Sequence, residues 1–224
     1  MKDMVIVSVG VDGREKYSEK AKILKSTADK FGYSNMIYIN KYPPNCPSHK
    51  EVPYGFKIFA IEEAIKAGHK KILWLDSPCK IIKSLDPIYD LIEKDGYFFT
   101  LDGWNVGQWC KDTALRPLGI SRDQAFRIPV IAAKHFGFDV SSKKFMNILD
   151  KMKNLLYENN GDVYRGAWTN NNREVSYDKR VLGHRHDQTV ISVLAYQENI
   201  EIKDYNDFIE WGVENKVTSL IRFN

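Results

Sequence analysis

Three short apolar runs constrain this chain most: Met4–Val9 (MVIVSV), Asn35–Asn40 (NMIYIN) and Lys71–Asp76 (KILWLD). Each has the length and the apolar, β-branched or aromatic content of a buried strand. Between them lie two stretches with helical spacing. Over Glu19–Phe31, residues Ala21, Leu24, Ala28 and Phe31 recur at intervals of three and four, and Gly32 closes the run. Over Gly55–Ala67 a second helix is expected, ended by Gly68. The order β-α-β-α-β requires crossover helices, hence a mainly parallel central sheet with helices on both faces. Such sheets bind ligands beyond the carboxyl ends of their strands. Here those ends are Gly10–Gly13 and Asp76–Pro78, both polar and turn-rich. The loop 41–53, with four prolines counting Pro53, is long enough to carry function.

The second half predicts a smaller, mixed β region. Asp86-Pro87 opens a helix over Ile88–Lys94, and Tyr97–Leu101 is expected as a strand. An aromatic loop covers Asp102–Asp112, and Ser121 has the character of a helix N-cap. Strand segments are expected at Pro129–Ala133 and Phe136–Asp139. A long helix spans Ser141–Tyr157, capped by Ser141 or Ser142. A polar, irregular stretch runs over Asn159–Gly183, then a helix over Asp187–Tyr196 and a last strand over Ile200–Lys203. With no repeat, low-complexity segment or linker, the 224 residues are expected to form one domain.

Charge and cysteine content exclude several functions. The net charge is +4, but the lysine runs are short and scattered, with no basic stripe carrying stacking aromatics. No nucleic-acid partner is expected, whereas a phosphate-bearing small ligand suits the mild positive balance. Cys46, Cys79 and Cys110 are widely spaced, as expected of reduced thiols in a cytosolic protein. No apolar run approaches the ~20 residues that span a bilayer. The Met1-Lys2-Asp3-Met4 start lacks the apolar segment of a signal peptide. A cytoplasmic location is therefore expected.

Five segments concentrate chemistry. Asp76 is delivered by an apolar strand to a sheet edge, where an Asp either caps a turn or binds metal or ribose. Lys57, near the start of the second helix, opposes the helix dipole; it is either a surface lysine or a ligand-binding one. In Gly183-His184-Arg185-His186-Asp187-Gln188, ionisable groups gather at the start of an apolar helix. Asp187 there is either an N-cap or a functional carboxylate, and His184 and His186 either orient it or ligate a metal. Trp104, Trp109 and Trp168 fall in polar loops rather than in apolar runs. Ser8, Val9 and Gly10, with Arg14 nearby, end the first strand.

These segments, in this order, resemble the GT-A-fold glycosyltransferases, including the glycogenin-like family. The stretch Lys71–Ile92 is similar to their donor-binding segment. Asp76 matches the first carboxylate of the Asp-x-Asp motif, Ile81-Ile82 the short strand after it, and Leu85-Asp86-Pro87 the following helix start. Pro78 stands where the second Asp would be. Ala132–Phe138 resembles the stretch that floors the sugar site, and Asp187-Gln188 the Asp-Gln element beside the transferred sugar.

The resemblance implies a GT-A-like α/β fold with a nucleotide-binding half over 1–100 and a sugar- and acceptor-binding half over 101–224. It implies a nucleotide-sugar donor of the UDP or GDP type and a glycan or other hydroxyl acceptor. Asp187 and Gln188 would be catalytic. Ser8, Val9, Gly10, Arg14, Lys57, Asp76 and Ser77 would bind the donor. Asp102, Trp104, Trp109, His135, Gly137, Trp168, His184 and His186 would bind sugar or acceptor. It also implies Mn²⁺ or Mg²⁺, with Asp76 the one matching ligand, although Pro78 leaves that cage incomplete. Two other functions fit parts of the pattern. Pro78 suits a non-catalytic sugar- or nucleotide-binding module descended from such an enzyme. Gly10-Val11-Asp12-Gly13-Arg14 faintly echoes the loop of a nucleotidyltransferase.

Overall fold

The structure is a computed structural model that describes residues 4–13, 15–202, 204, 206–212 and 219–223. Arg14 and Lys203 lie outside the described residues. In chain order the elements are β1 (Met4–Gly10), α1 (Tyr17–Lys30), β2 (Ser34–Ile39), α2 (Phe56–Lys66), β3 (Lys71–Leu75), β4 (Cys79–Ile81), α3 (Asp86–Asp95), β5 (Tyr97–Phe98) and β6 (Leu101–Asn105). They continue with α4 (Asp112–Leu115), α5 (Arg122–Ala125), β7 (Pro129–Ile131), β8 (His135–Asp139), α6 (Lys143–Tyr157), α7 (His186–Gln197), β9 (Ile209–Trp211) and β10 (Ile221–Phe223).

The central sheet has the order β2-β1-β3-β8-β5. β1 pairs parallel with β2 and with β3, while β8 pairs antiparallel with β3 and with β5. Four strands therefore point one way and only β8 runs against them. The strand pleat sorts side chains by twos. Val5, Val7, Val9, Ile72 and Trp74 face a core built with α2, α6 and α7. Met4, Ile6, Leu73 and Leu75 face a second core with α1 and α3. Helices on both faces explain why β1 and β3 carry apolar residues at consecutive positions. The fold is thus a mixed α/β architecture with a mostly parallel central sheet flanked by helices, as expected. The smaller sheets are β4-β10-β9 and β6-β7.

Local signals account for several element boundaries. Ser121 and Gln124 form a reciprocal capping box at α5. Of the two serines before α6, Ser142 is the cap, accepting from the Phe145 N–H. Gly96, at φ 82°, ends α3 in the left-handed conformation.

Three expectations are corrected. The expected strand Tyr97–Leu101 is two strands. β5 joins the central sheet, whereas Leu101 opens β6, which pairs with β7. The supposed loop Asp102–Asp112 accordingly starts as strand, and a 3₁₀ turn capped reciprocally by Asn105 and Gln108 follows. No strand forms over 200–202; the last strands are β9 and β10, and β10 pairs antiparallel with β4. Among the described residues, no helix is long and apolar enough to cross a membrane.

Candidate functional site

β1 and β3 end on the same sheet edge, because their parallel register aligns Val7 with Trp74. Asp76 follows β3, and its N–H donates to the Lys134 carbonyl at 2.8 Å. Trp74 and Asp76 are two residues apart and so share one side of the strand. The Trp74 indole Nε1–H donates to Asp76 Oδ1 at 2.7 Å.

Lys57 enters from the first turn of α2. Its Nζ lies 3.1 Å from Asp76 Oδ1, 2.9 Å from Asp187 Oδ2 and 2.7 Å from the Ala133 carbonyl oxygen. The ammonium thus donates a hydrogen bond to the Ala133 carbonyl and forms ion pairs with two carboxylates. Lys57 is 3% exposed, so the surface-lysine alternative is excluded. Its charge is thereby balanced within the protein, and it ties α2, β3, α7 and the loop before β8 together.

Asp187 is not the N-cap of α7. The cap position is Arg185, without a side-chain hydrogen bond, and Asp187 lies inside the first turn with its carboxylate on Lys57. Burial pushes the Asp187 carboxyl up to about 6, against the pull of Lys57 and with a further push from Asp76. Burial also works against the Lys57 ammonium, but Asp187 and Asp76 outweigh it and hold its pKa above the usual lysine value.

A cavity of 260 Å³ opens beside this cluster, lined by Tyr54, Lys57, Asp76, Asp102, Ala133, Lys134, Trp168, Arg185, Asp187 and Gln188. Asp102 projects into it from β6. Its Oδ1 accepts from Lys134 Nζ at 3.2 Å and its Oδ2 from Gln188 Nε2 at 2.8 Å. An adjoining cavity of 290 Å³ shares Asp102 and Lys134 and is also lined by His135, Ile209 and Trp211. Tyr54 and His186 flank the site in the left-handed backbone region, at φ 62° and 44°, with ring centroids 5.6 Å apart. Non-glycine residues held there store strain, which tends to gather at binding sites.

Of the residues predicted from sequence, Lys57, Asp76, Asp102, Trp168, Asp187 and Gln188 meet at the first cavity, and His135 lines the second. The His135 Nε2 bonds the Thr100 hydroxyl at 2.6 Å, and burial lowers its pKa to about 3. The other described ones line neither cavity. His184 is fully buried, with one ring nitrogen on the Val163 carbonyl and the other accepting from the Lys111 N–H. His186 bonds the Tyr164 carbonyl and packs edge-on against Trp168.

Trp109 underlies Arg185, and Trp104 stands against Trp109, half exposed. Gly137 sits in β8, where an added Cβ would come within 2.5 Å of Ile92. Gly10 is demanded by the close approach of α1, since a Cβ would lie 2.5 Å from the Tyr17 carbonyl oxygen. Ser8, Val9 and Ser77 are buried at or near the strand ends.

Two cations that line the cavity, Lys134 and Arg185, were not singled out by the sequence pattern. Lys134 precedes His135, and Arg185 stands between His184 and His186, three histidines that were. The Arg185 guanidinium carbon lies 3.9 Å from the Trp109 ring centre and 4.8 Å from that of Trp168. Burial lowers its pKa, opposed by Asp102 and Tyr54; an arginine remains charged regardless.

The carboxylates present do not fit a resident Mn²⁺ or Mg²⁺. Such ions need several oxygen ligands. Asp76 and Asp187 already share the Lys57 ammonium, and Asp102 is engaged by Lys134 and Gln188. Among the described residues, no three His, Cys, Asp or Glu side chains are grouped to hold a metal.

No protein-family model and no curated protein matches the chain. Solved structures are similar in fold. A glycosyltransferase involved in the glycosylation of the major capsid of PBCV-1 aligns with a TM-score of 0.58 at 14% identity, over 98% of this chain and 92% of that one. The galactosyltransferase LgtC, in complex with donor and acceptor sugar analogs, aligns at 0.49 and 12% identity, over 98% and 86%. The first of these carries the assignment, and it is an assignment of fold: the chain has a GT-A-like fold similar to that of this glycosyltransferase.

Proposed function

We propose that the chain is a glycosyltransferase that moves a sugar from a UDP- or GDP-type nucleotide donor to a hydroxyl of a glycan or other acceptor. The observation that carries this is Asp187, held by Lys57 at the wall of the cavity, beside Gln188 and Asp102, on the strand-end edge of a GT-A-like sheet. With a pKa near 6 it is largely ionised at neutral pH, yet still basic enough to take a proton from an acceptor hydroxyl. Gln188 and Asp102 offer polar contacts to sugar hydroxyls, and Trp168 and Tyr54 offer faces for the sugar C–H surface. The donor nucleotide would lie along the edge that joins Ser8–Gly10 to Asp76 and Ser77, in a single functional unit with the sugar side.

A non-catalytic binding module is the second possibility. It is favoured by the internal pairing of all three cavity carboxylates. One experiment separates the two. A panel of nucleotide sugars is screened by thermal shift, and each stabilising compound is then assayed for release of its nucleoside diphosphate. A true donor at a hundred times its Kd should add about 2.7 kcal/mol of stability. Stabilisation with turnover supports the transferase, and stabilisation without turnover supports the module. No shift with any nucleotide sugar would sink both.

A further inference from the structure

The positive groups at the cavity differ in what they have left to offer. Lys57 is buried, donates to the Ala133 carbonyl and is ion-paired with both Asp76 and Asp187. Lys134 is paired with Asp102 and lies 3.9 Å from the Trp211 ring centre. Arg185 is different. Its guanidinium lies over Trp109 and Trp168 and lines the cavity, and among the described residues no carboxylate pairs with it. Asp102, whose charge reaches it, already has both oxygens engaged by Lys134 and Gln188. Contact with ring faces leaves the N–H edge of a planar guanidinium free for in-plane bonds. The two indoles also fix the side chain before any ligand arrives, which lowers the entropic cost of binding.

An oxyanion is the natural complement of such a group, because the N–H fork matches two oxygens at once. A departing nucleoside diphosphate needs positive charge at this point. The cavity carboxylates do not fit a divalent cation, and the buried Lys57 ammonium is already balanced by Asp76 and Asp187. We propose that Arg185 is the anion-binding residue of the cavity and takes the diphosphate of the donor, with Lys57 a positioning residue that holds Asp76 and Asp187. This rests on the glycosyltransferase reading above, since that reading supplies the diphosphate.

The test is calorimetric titration of wild type, Arg185→Gln and Arg185→Lys with inorganic pyrophosphate, UDP, GDP and glucuronate, each variant also being melted. Arg185→Gln should weaken pyrophosphate and the bound diphosphate by about tenfold or more. Arg185→Lys should fall between, by about threefold or more, because a point charge replaces the fork. Melting temperatures should stay within a few degrees. If Arg185→Gln does not fold, Arg185→Lys decides, and unchanged pyrophosphate affinity in it overturns the proposal. Equal pyrophosphate affinity in wild type and Arg185→Gln also overturns it, while nucleotide-sugar turnover would leave the transferase reading standing. Dependence on Arg185 for glucuronate but not for pyrophosphate would assign the residue to an acidic acceptor sugar and overturn the diphosphate role. No pyrophosphate or nucleotide binding to wild type would sink both proposals.

Discussion

Lys57 Nζ and Asp187 Oδ2 are 2.9 Å apart, with side-chain exposures of 3% and 8%. This contact fastens the start of α2 to the start of α7, and Asp76 at 3.1 Å makes it a three-residue cluster carrying one positive and two negative charges. A buried ammonium is retained here because the two carboxylates would otherwise face one another in a poorly solvated site.

Lys57→Met should therefore be severely destabilising. It leaves two carboxylates without their shared counter-charge, and removing one partner of a buried ion pair costs about 3–5 kcal/mol. Urea unfolding of the two proteins measures the difference. A cost under about 1 kcal/mol, the range of exposed ion pairs, would mean the cluster is not energetically coupled.

Asp187→Asn should behave in the opposite way. The cluster goes from a net negative charge to neutral, and the amide oxygen can still accept from Lys57. Stability should change by no more than about 1.5 kcal/mol. Loss of a general base costs on the order of 10²–10⁴ in rate. Melting and transfer rate are measured on the same preparation. A rate within a few-fold of wild type would make Asp187 structural and turn the search to Asp102.

The pH dependence follows from the same carboxyl, which burial pushes up to about 6. As a base it must be ionised, so transfer kcat/KM should rise with pH and level off above about 6. The limb should vanish in Asp187→Asn. Stability runs the other way. Between the ordinary 3.8 and about 6 the folded chain holds a proton that the unfolded chain has released. This contribution is therefore fully present below about pH 4 and lost as pH rises through about 6. Lys57, raised above its ordinary 10.5, contributes stability that is lost only in strong alkali. An Asp187→Asn profile with the same acid limb as wild type would contradict the assignment.

Excess EDTA should leave most of the transfer activity intact, because the cavity carboxylates are engaged by Lys57, Lys134 and Gln188 rather than free for a divalent ion. Rates before and after chelation, and after added Mn²⁺, decide the point. Complete loss that Mn²⁺ restores would show that the cluster opens to admit metal.

Gly10→Ala should weaken the fold without touching the chemistry of Asp187. The new Cβ would lie 2.5 Å from the Tyr17 carbonyl oxygen and 2.6 Å from Ala21 Cβ, so α1 must move off β1. Overpacking of this kind costs about 1–3 kcal/mol. Equal denaturation midpoints for the two proteins would show that α1 shifts freely.

Much of the architecture was fixed by local pattern. MVIVSV and KILWLD are apolar at consecutive positions because helices cover both faces of the sheet. The periodicity of Ala21, Leu24 and Ala28 marks the buried face of α1, and Ser121 and Ser142 cap their helices through short-range hydrogen bonds. That Asp76 stands at the end of a strand and Asp187 at the start of a helix was legible in the chain. The division of Tyr97–Leu101 between two sheets was not, because it depends on which partner, β8 or β7, each half meets.

The electrostatic design of the cavity was likewise decided only in three dimensions. A lysine at a helix start looks exposed in one dimension. Asp76, Asp187 and the Ala133 carbonyl come from three other segments, and only their convergence buries Lys57 and balances its charge. Arg185 stands between two histidines in the chain, but its chemistry is set by Trp109 and Trp168, which come from two other segments. Sequence pattern reports period and propensity, which act over a few residues. The charge balance of a buried site depends on contacts between residues from separate segments, beyond the reach of local pattern.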